Sequence, residues 1–96
     1  MSAKFPESHL WAIIKGYLVS TADTADKGLE TMVFPAERGK EIRMVEGLYR
    51  TYIKGADWGN HLEHLTRHYE TVEEAMQGHK EVCRLVKDMT KGGEEE

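Results

Sequence analysis

Residues 69–91 read YETVEEAMQGHKEVCRLVKDMTK, and this stretch decides the fold. Apolar residues recur along it at three- and four-residue steps, which is the spacing of one stripe on an α-helix. Thr71 and Glu74 form a T-x-x-E capping box, in which each side chain is expected to bind the backbone N–H of the other residue. Gly92-Gly93 is expected to end the helix. The sequence therefore predicts one amphipathic helix over about residues 71–90, whose apolar stripe comprises Val72, Ala75, Met76, His79, Val82, Cys83, Val86 and Met89.

The chain upstream of this helix is rich in β-branched and aromatic residues. These residues concentrate in runs at 10–21, 29–34, 42–53 and, more briefly, 65–69. The stretches 21–28 and 35–40 have the polar, Gly- and Pro-containing composition of hairpin connections. Gly47 is expected to bulge or split the third run, and residues 54–60 are predicted to form a loop. The predicted fold class is α+β: a three- or four-stranded antiparallel sheet, covered on one face by the C-terminal helix.

The segment 8–18 is ambiguous between helix and strand. Leu10, Trp11 and Ile14 have helical spacing, and Ser8 can cap a short helix. Gly16 interrupts that pattern, and the residues after it have strand composition. We predict a strand for at least residues 15–21. The alternative is a helix over residues 8–18 packed on a three-stranded sheet.

Length and charge exclude several classes of protein. A chain of 96 residues supports one domain, here 1–91 followed by a flexible acidic tail at 92–96. Its formal net charge of −4 argues against nucleic-acid binding, which needs a basic surface. The single cysteine, Cys83, excludes an internal disulfide and is typical of a reducing compartment. No apolar run is long enough to span a membrane, and no secretory signal is found, so a cytoplasmic location is predicted.

Three of the five histidines lie within one short segment, at His61, His64 and His68. On a single helix they would line one face and could share zinc or another transition metal. If residues 65–69 form a strand instead, His61 and His64 point to different faces and the group separates. The alternative interpretation is a polar, partly exposed segment without a metal, and in that case no cofactor is expected. Elemental analysis of untagged protein separates the two hypotheses.

The residues do not form a recognisable catalytic motif. His79 lies on the apolar stripe of the helix, where a neutral imidazole bonded to a backbone carbonyl is the usual explanation. Cys83, one turn away, is also on the buried stripe, where thiols are normally inert. No nucleophile elbow or phosphate-binding glycine loop is present. No catalytic residue is predicted.

The aromatic residues of the middle segment are candidates for partner binding. Trp58 lies between Asp57 and Gly59 in the predicted loop, where its ring either packs back on the sheet or is held out for a partner. Tyr49 and Tyr52 lie in the same half of the chain. Trp58, Tyr49 and Tyr52 are therefore predicted to form an aromatic partner-binding surface.

Three short motifs occur in order along the chain: E-T-M-V-F at 30–34, Asp57-Trp58, and Y-x-T-x-E-E-A-x-x-G-H at 69–79. Over about residues 17–86, this ordered set resembles a group of short proteins from bacteria, phages and prophages. The chain departs from the group by extra residues around 43–54 and 59–65. The resemblance implies a small protein associated with a mobile element, and it bears on origin and fold more than on function.

These observations lead to three functional hypotheses of different classes. The leading one is a non-enzymatic protein-binding accessory factor. The others are a small metal-binding protein that uses the histidine cluster, and a binder of a nucleotide or other small ligand on the open sheet face.

In the strand runs, both odd- and even-numbered positions carry apolar residues, so both faces of the sheet are apolar. A sheet covered on one face should instead alternate apolar with polar residues. The second face therefore needs a cover, and the sequence contains no second clear helix. We predict a homodimer that pairs sheet faces or edge strands. In the competing explanation, the N-terminal segment folds back as a helix and covers that face.

Overall fold

The computed structural model describes residues 10–24, 28–48 and 51–94. Its elements are β1 (Leu10–Ile14), β2 (Tyr17–Thr24), β3 (Gly28–Pro35), β4 (Arg43–Glu46), β5 (Thr51–Lys54), a short 3-10 helix (Glu63–Leu65), β6 (Arg67–Tyr69) and α1 (Val72–Glu94). Four strands form an antiparallel sheet in the order β1-β2-β3-β6, while β4 and β5 form a separate hairpin. Because α1 packs against this sheet, the predicted α+β fold with one C-terminal helix is confirmed.

The ambiguous N-terminal segment forms a hairpin. Ile14 and Tyr17 are paired across a two-residue turn made by Lys15 and Gly16. Both turn residues have positive φ, 44° and 85°, as a tight hairpin of this kind requires. The strand prediction is thus confirmed for 17–21, and Lys15-Gly16 is the turn that interrupted the helical pattern. Residues 8 and 9 of the alternative helix lie outside the described residues.

The third apolar run divides near Gly47 into β4 and β5, as predicted, but neither strand joins the main sheet. The partner of β3 on this side is β6, which pairs with residues 29–31. Further along β3, the Leu62 N–H donates to the Val33 carbonyl at 2.8 Å and the Asp57 N–H donates to the Pro35 carbonyl at 2.8 Å. Three segments therefore bind this edge of β3 in turn: β6, the residues around Leu62 and the residues around Asp57.

One sheet face, the helix face, forms the main core with α1. Val19 and Val33 from the sheet pack with Leu65 and with Val82 and Val86 from α1, and all five are buried. Met76 departs from the prediction that it belongs to the apolar stripe, because it is 46% exposed. It follows the fully buried Ala75, and a one-residue step rotates it about 100° around the helix axis, to the edge of the stripe.

The opposite face, the hairpin face, is partly covered by the chain itself. Leu18 and Phe34 from the sheet are buried under Ile42 and Ala56, and Ile53 of β5 packs against this cluster. An antiparallel bridge between Ala36 and Ala56 joins the hairpin base to the end of β3. β2 and β3 thus carry apolar residues toward both faces because each face is covered. α1 covers one face, and the hairpin and an irregular segment of the same chain cover part of the other.

The helix begins where the sequence predicts. Thr71 Oγ1 accepts the Glu74 N–H at 3.1 Å, whereas the Glu74 carboxylate accepts the N–H of Glu70, also at 3.1 Å, in place of that of Thr71. α1 continues to Glu94, past Gly92-Gly93. Glycine ends a helix when it adopts the left-handed conformation, and otherwise costs only about 1 kcal/mol per residue. Among the described helices, none is long and apolar enough to cross a membrane.

Candidate functional site

A polar network crosses the helix face between the sheet and α1. Thr21 and Thr31 are cross-strand partners, both 0% exposed, with their Oγ1 atoms 2.6 Å apart. Thr21 Oγ1 lies 2.7 Å from His79 Nδ1, and the Tyr69 hydroxyl donates to Thr31 Oγ1 at 3.0 Å. His79 Nε2 lies 3.7 Å from Cys83 Sγ. Side chains from two central strands, an edge strand and the helix are therefore linked in one chain of hydrogen bonds.

Burial decides the protonation states in this network. Desolvation lowers the pKa of His79, so the imidazole is neutral, as predicted; its observed partner is the Thr21 hydroxyl. Desolvation also raises the pKa of Cys83, against a smaller opposing effect of Lys87, and keeps the thiol protonated. Desolvation raises the pKa of Tyr69, so the phenol retains the proton that it donates to Thr31. The nucleophilic form of cysteine is the thiolate, and here the thiol stays protonated. This network is therefore better suited to holding α1 against the sheet by hydrogen bonds than to covalent catalysis.

Gly78 is a residue whose role the sequence did not reveal. It is buried in the middle of α1, and a Cβ at this position would collide with the Tyr69 ring. The absent side chain lets the Tyr69 ring lie against the helix backbone, from where its hydroxyl reaches Thr31. A glycine inside a strongly amphipathic helix was the available signal, because such a residue usually has a packing or functional reason.

The three clustered histidines occupy three different pieces of structure. His61 lies in the loop, with its ring centroid 6.3 Å from that of Phe34. His64 is in the 3-10 helix, and His68 is on β6, where its Nε2 is 3.1 Å from Glu30 Oε2. Within the described part of the chain, no three His, Cys, Asp or Glu residues form a group that could hold a metal ion. The zinc hypothesis stays a prediction for elemental analysis.

Trp58 both packs on the sheet and faces solvent. Its ring centroid lies 5.0 Å from that of Phe34 and 6.2 Å from that of Trp11, the latter in an edge-to-face contact, yet 50% of the residue is exposed. Its loop is tied down on both sides of the ring. The Asp57 N–H donates to the sheet, and the Asp57 carboxylate accepts the Asn60 amide at 2.8 Å. A large aromatic surface is thus held in a fixed position with one side open.

The other two predicted aromatic residues belong to the hairpin region. Tyr52 on β5 is 43% exposed, and Lys54 Nζ lies 5.9 Å from the centroid of its ring. Tyr49 lies outside the described residues. Trp58 packs on the sheet and Tyr52 on the hairpin, so the predicted aromatic surface is carried by two separate elements.

Comparisons with known proteins leave the site to be interpreted from its own geometry. No family model matches this chain, and neither a curated protein nor a solved structure matches it.

Proposed function

We propose that this chain is a small non-enzymatic accessory protein of a phage or prophage, which binds another protein in the cytoplasm through Trp58. The observation that carries this proposal is the fixed, half-exposed position of the Trp58 ring against Trp11 and Phe34. Tryptophan is enriched among the residues that dominate binding energy at protein interfaces. An anchor that is already immobilised loses little conformational entropy on binding.

The surroundings of Trp58 resemble the centre and rim of a protein interface. Trp11 and Ile13 lie on the same face of β1, and Ile13 is 37% exposed. Asp57 and Asn60 supply polar groups on the loop beside the ring. An apolar centre with a polar rim is the usual composition of such interfaces.

Quantitative capture from host lysate with paired variants tests the proposal. Trp58→Ala removes the anchor, and Gly59→Arg places a bulky side chain beside it at a position where a Cβ meets only the Asp57 carboxylate, at 3.9 Å. Met76→Ala is the control, since Met76 is similarly exposed but belongs to α1. A partner that binds through Trp58 should lose at least about thirtyfold in affinity with Trp58→Ala. It should also be lost with Gly59→Arg and retained with Met76→Ala.

The proposal is contradicted if purified partners bind both loop variants as tightly as the unaltered protein. Circular dichroism and thermal melting of each variant show whether the fold is kept. Gly59→Arg matters here because it leaves the Trp58 packing in place.

We also propose that the protein forms a homodimer. The support is apolar surface that remains exposed on the hairpin and on β1, including Leu48 at 83% and Met44 at 48%. A second copy would remove this surface from water.

A further inference from the structure

A cleft of about 520 Å³ lies between the loop that follows β3 and the base of the β4–β5 hairpin. It is lined by Glu37, Lys40, Glu41, Arg43, Lys54 and Gly55. Five of these residues carry ionisable side chains. The volume is within the range of about 300–1,000 Å³ that is usual for small-molecule sites.

Two cationic side chains lie side by side in the wall of this cleft. Arg43 and Lys54 are direct partners in the β4–β5 register, so their side chains leave the same face of the hairpin. Like charges in this position destabilise a strand pair. Lys40 is neutralised by Glu37 at 3.0 Å, but within the described residues neither Arg43 nor Lys54 has a carboxylate within ion-pair distance. With the Lys40–Glu37 pair neutral and Glu41 offsetting one of the two cations, the lining keeps one net positive charge, which favours an anion as ligand.

An aromatic ring lies beside these cations. Tyr52 is two residues before Lys54 on β5 and shares its face, and the Lys54 ammonium lies 5.9 Å from its ring centroid. The residue is 43% exposed. One face of the hairpin thus presents Arg43 beside a Lys54 ammonium that lies over the partly exposed Tyr52 ring.

The base of the cleft is held by backbone contacts. Gly55 has a φ of 87°, and a Cβ there would collide with the carbonyl of Glu41. The Glu37 N–H donates to the Gly55 carbonyl at 2.7 Å. These contacts fix the hairpin base against the loop, so the base of the cleft is positioned before any ligand arrives.

We propose that this cleft binds a phosphate monoester that carries an aromatic ring, as in a nucleoside 5′-monophosphate. The phosphate lies at Arg43 and Lys54, where a doubly charged anion relieves the cation–cation repulsion and accepts charge-assisted hydrogen bonds. The ring of the ligand extends beyond the cleft lining to Tyr52, two residues from Lys54 on the same strand face, and packs against the exposed part of that side chain. The site is separate from the Trp58 surface, so it adds a small ligand to the proposed protein-binding function.

Isothermal titration with AMP, ribose 5-phosphate and adenosine tests the proposal. AMP should bind most tightly, ribose 5-phosphate more weakly, and adenosine most weakly. Arg43→Gln and Lys54→Gln should each weaken AMP binding about tenfold, since each removes a charged hydrogen-bond donor. Tyr52→Leu should weaken the binding of AMP and leave ribose 5-phosphate unchanged.

Lys80→Gln is the matched control, because Lys80 is exposed on α1 outside the cleft. Amide chemical shifts of the unaltered protein give a readout that needs no variant: AMP should move the signals of Tyr52, Lys54 and Gly55 and leave those of α1 in place. The site is disproved if millimolar AMP moves none of these signals, or if Lys80→Gln weakens binding as much as Arg43→Gln does. Equal affinities for AMP and ribose 5-phosphate would overturn the role of Tyr52.

Discussion

Gly78 and Tyr69 are in such close contact that a single methyl group should disturb the fold. Gly78→Ala gains about 1 kcal/mol in helix propensity, but its Cβ meets the Tyr69 ring. Because overpacking a close contact costs about 1–3 kcal/mol, we expect a net loss of stability. Urea denaturation measures the free energy of unfolding directly.

Gln77→Ala is the control for this prediction, since Gln77 is exposed and this variant also introduces an alanine, one position away from Gly78. Tyr69→Leu should make the Gly78→Ala change tolerable, which a double-mutant cycle detects as non-additivity. An increase in stability with Gly78→Ala would contradict the close contact.

His79 should make stability depend on pH. Its pKa is lowered by burial from 6.5, so below that value the unfolded chain binds a proton that the folded chain does not. The contribution of neutral His79 is therefore complete above pH 6.5 and is lost as the pH falls toward the lowered pKa of the folded state. Denaturation curves from pH 7.5 to 5 should show a smaller decline for His79→Gln than for the unaltered protein. Identical slopes would contradict the burial of this imidazole.

The residue scale shows where prediction from sequence succeeds and where it stops. The Thr71 cap follows from a local motif, and the neutrality of His79 follows from its position on the apolar stripe. The Thr21–Thr31 pair depends on the register of β2 against β3, which no local pattern specifies. The contact of Gly78 with Tyr69 likewise needs the path of the chain between β6 and α1.

Among the elements, α1 should depend measurably on its first turn. Thr71→Ala removes the hydroxyl that accepts the Glu74 N–H and should cost about 1 kcal/mol of stability. Thr71→Ser keeps an acceptor and should restore most of the loss. Chemical denaturation monitored by the helical circular dichroism signal tests both variants. A Thr71→Ala variant as stable as the unaltered protein would argue against the cap.

The β4–β5 hairpin should open more readily than the main sheet. Its two strands have four residues each and, among the described strands, pair only with each other, and an isolated two-stranded hairpin is at most marginally stable. Amide hydrogen exchange should therefore be faster in β4 and β5 than in the central strands β2 and β3. Equal protection factors would mean that the hairpin unfolds only with the whole domain.

Element pairing was harder to predict than element existence. Composition and alternation located all four runs, and Gly47 marked the division of the third. Strand patterns do not state which strand lies beside β3, however. Its partner, β6, comes later in the chain, while the nearer β4 pairs with β5 in a separate hairpin.

For the whole molecule, the test of self-association is its mass in solution. Light scattering at micromolar concentration should give twice the 11.0 kDa of one chain. Ile13→Glu places a charge on the exposed hairpin face and should shift the mass toward the monomer, whereas Met76→Glu on α1 should not. A mass of one chain at every concentration would contradict the homodimer.

The two ends of the β4–β5 hairpin touch, and this has an evolutionary consequence. A Cβ on Gly55 would come within 3.1 Å of the Ile42 Cα, so the chain leaves and re-enters the body of the protein at almost the same point. An ancestral gene could therefore gain or exchange the intervening codons without moving Ile42 or Ala56 from the core, provided that an apolar residue keeps the place of Ile53. The hairpin therefore behaves as an insertion between two fixed core residues. Relatives of this protein are expected to differ most in the length and the tip of this hairpin.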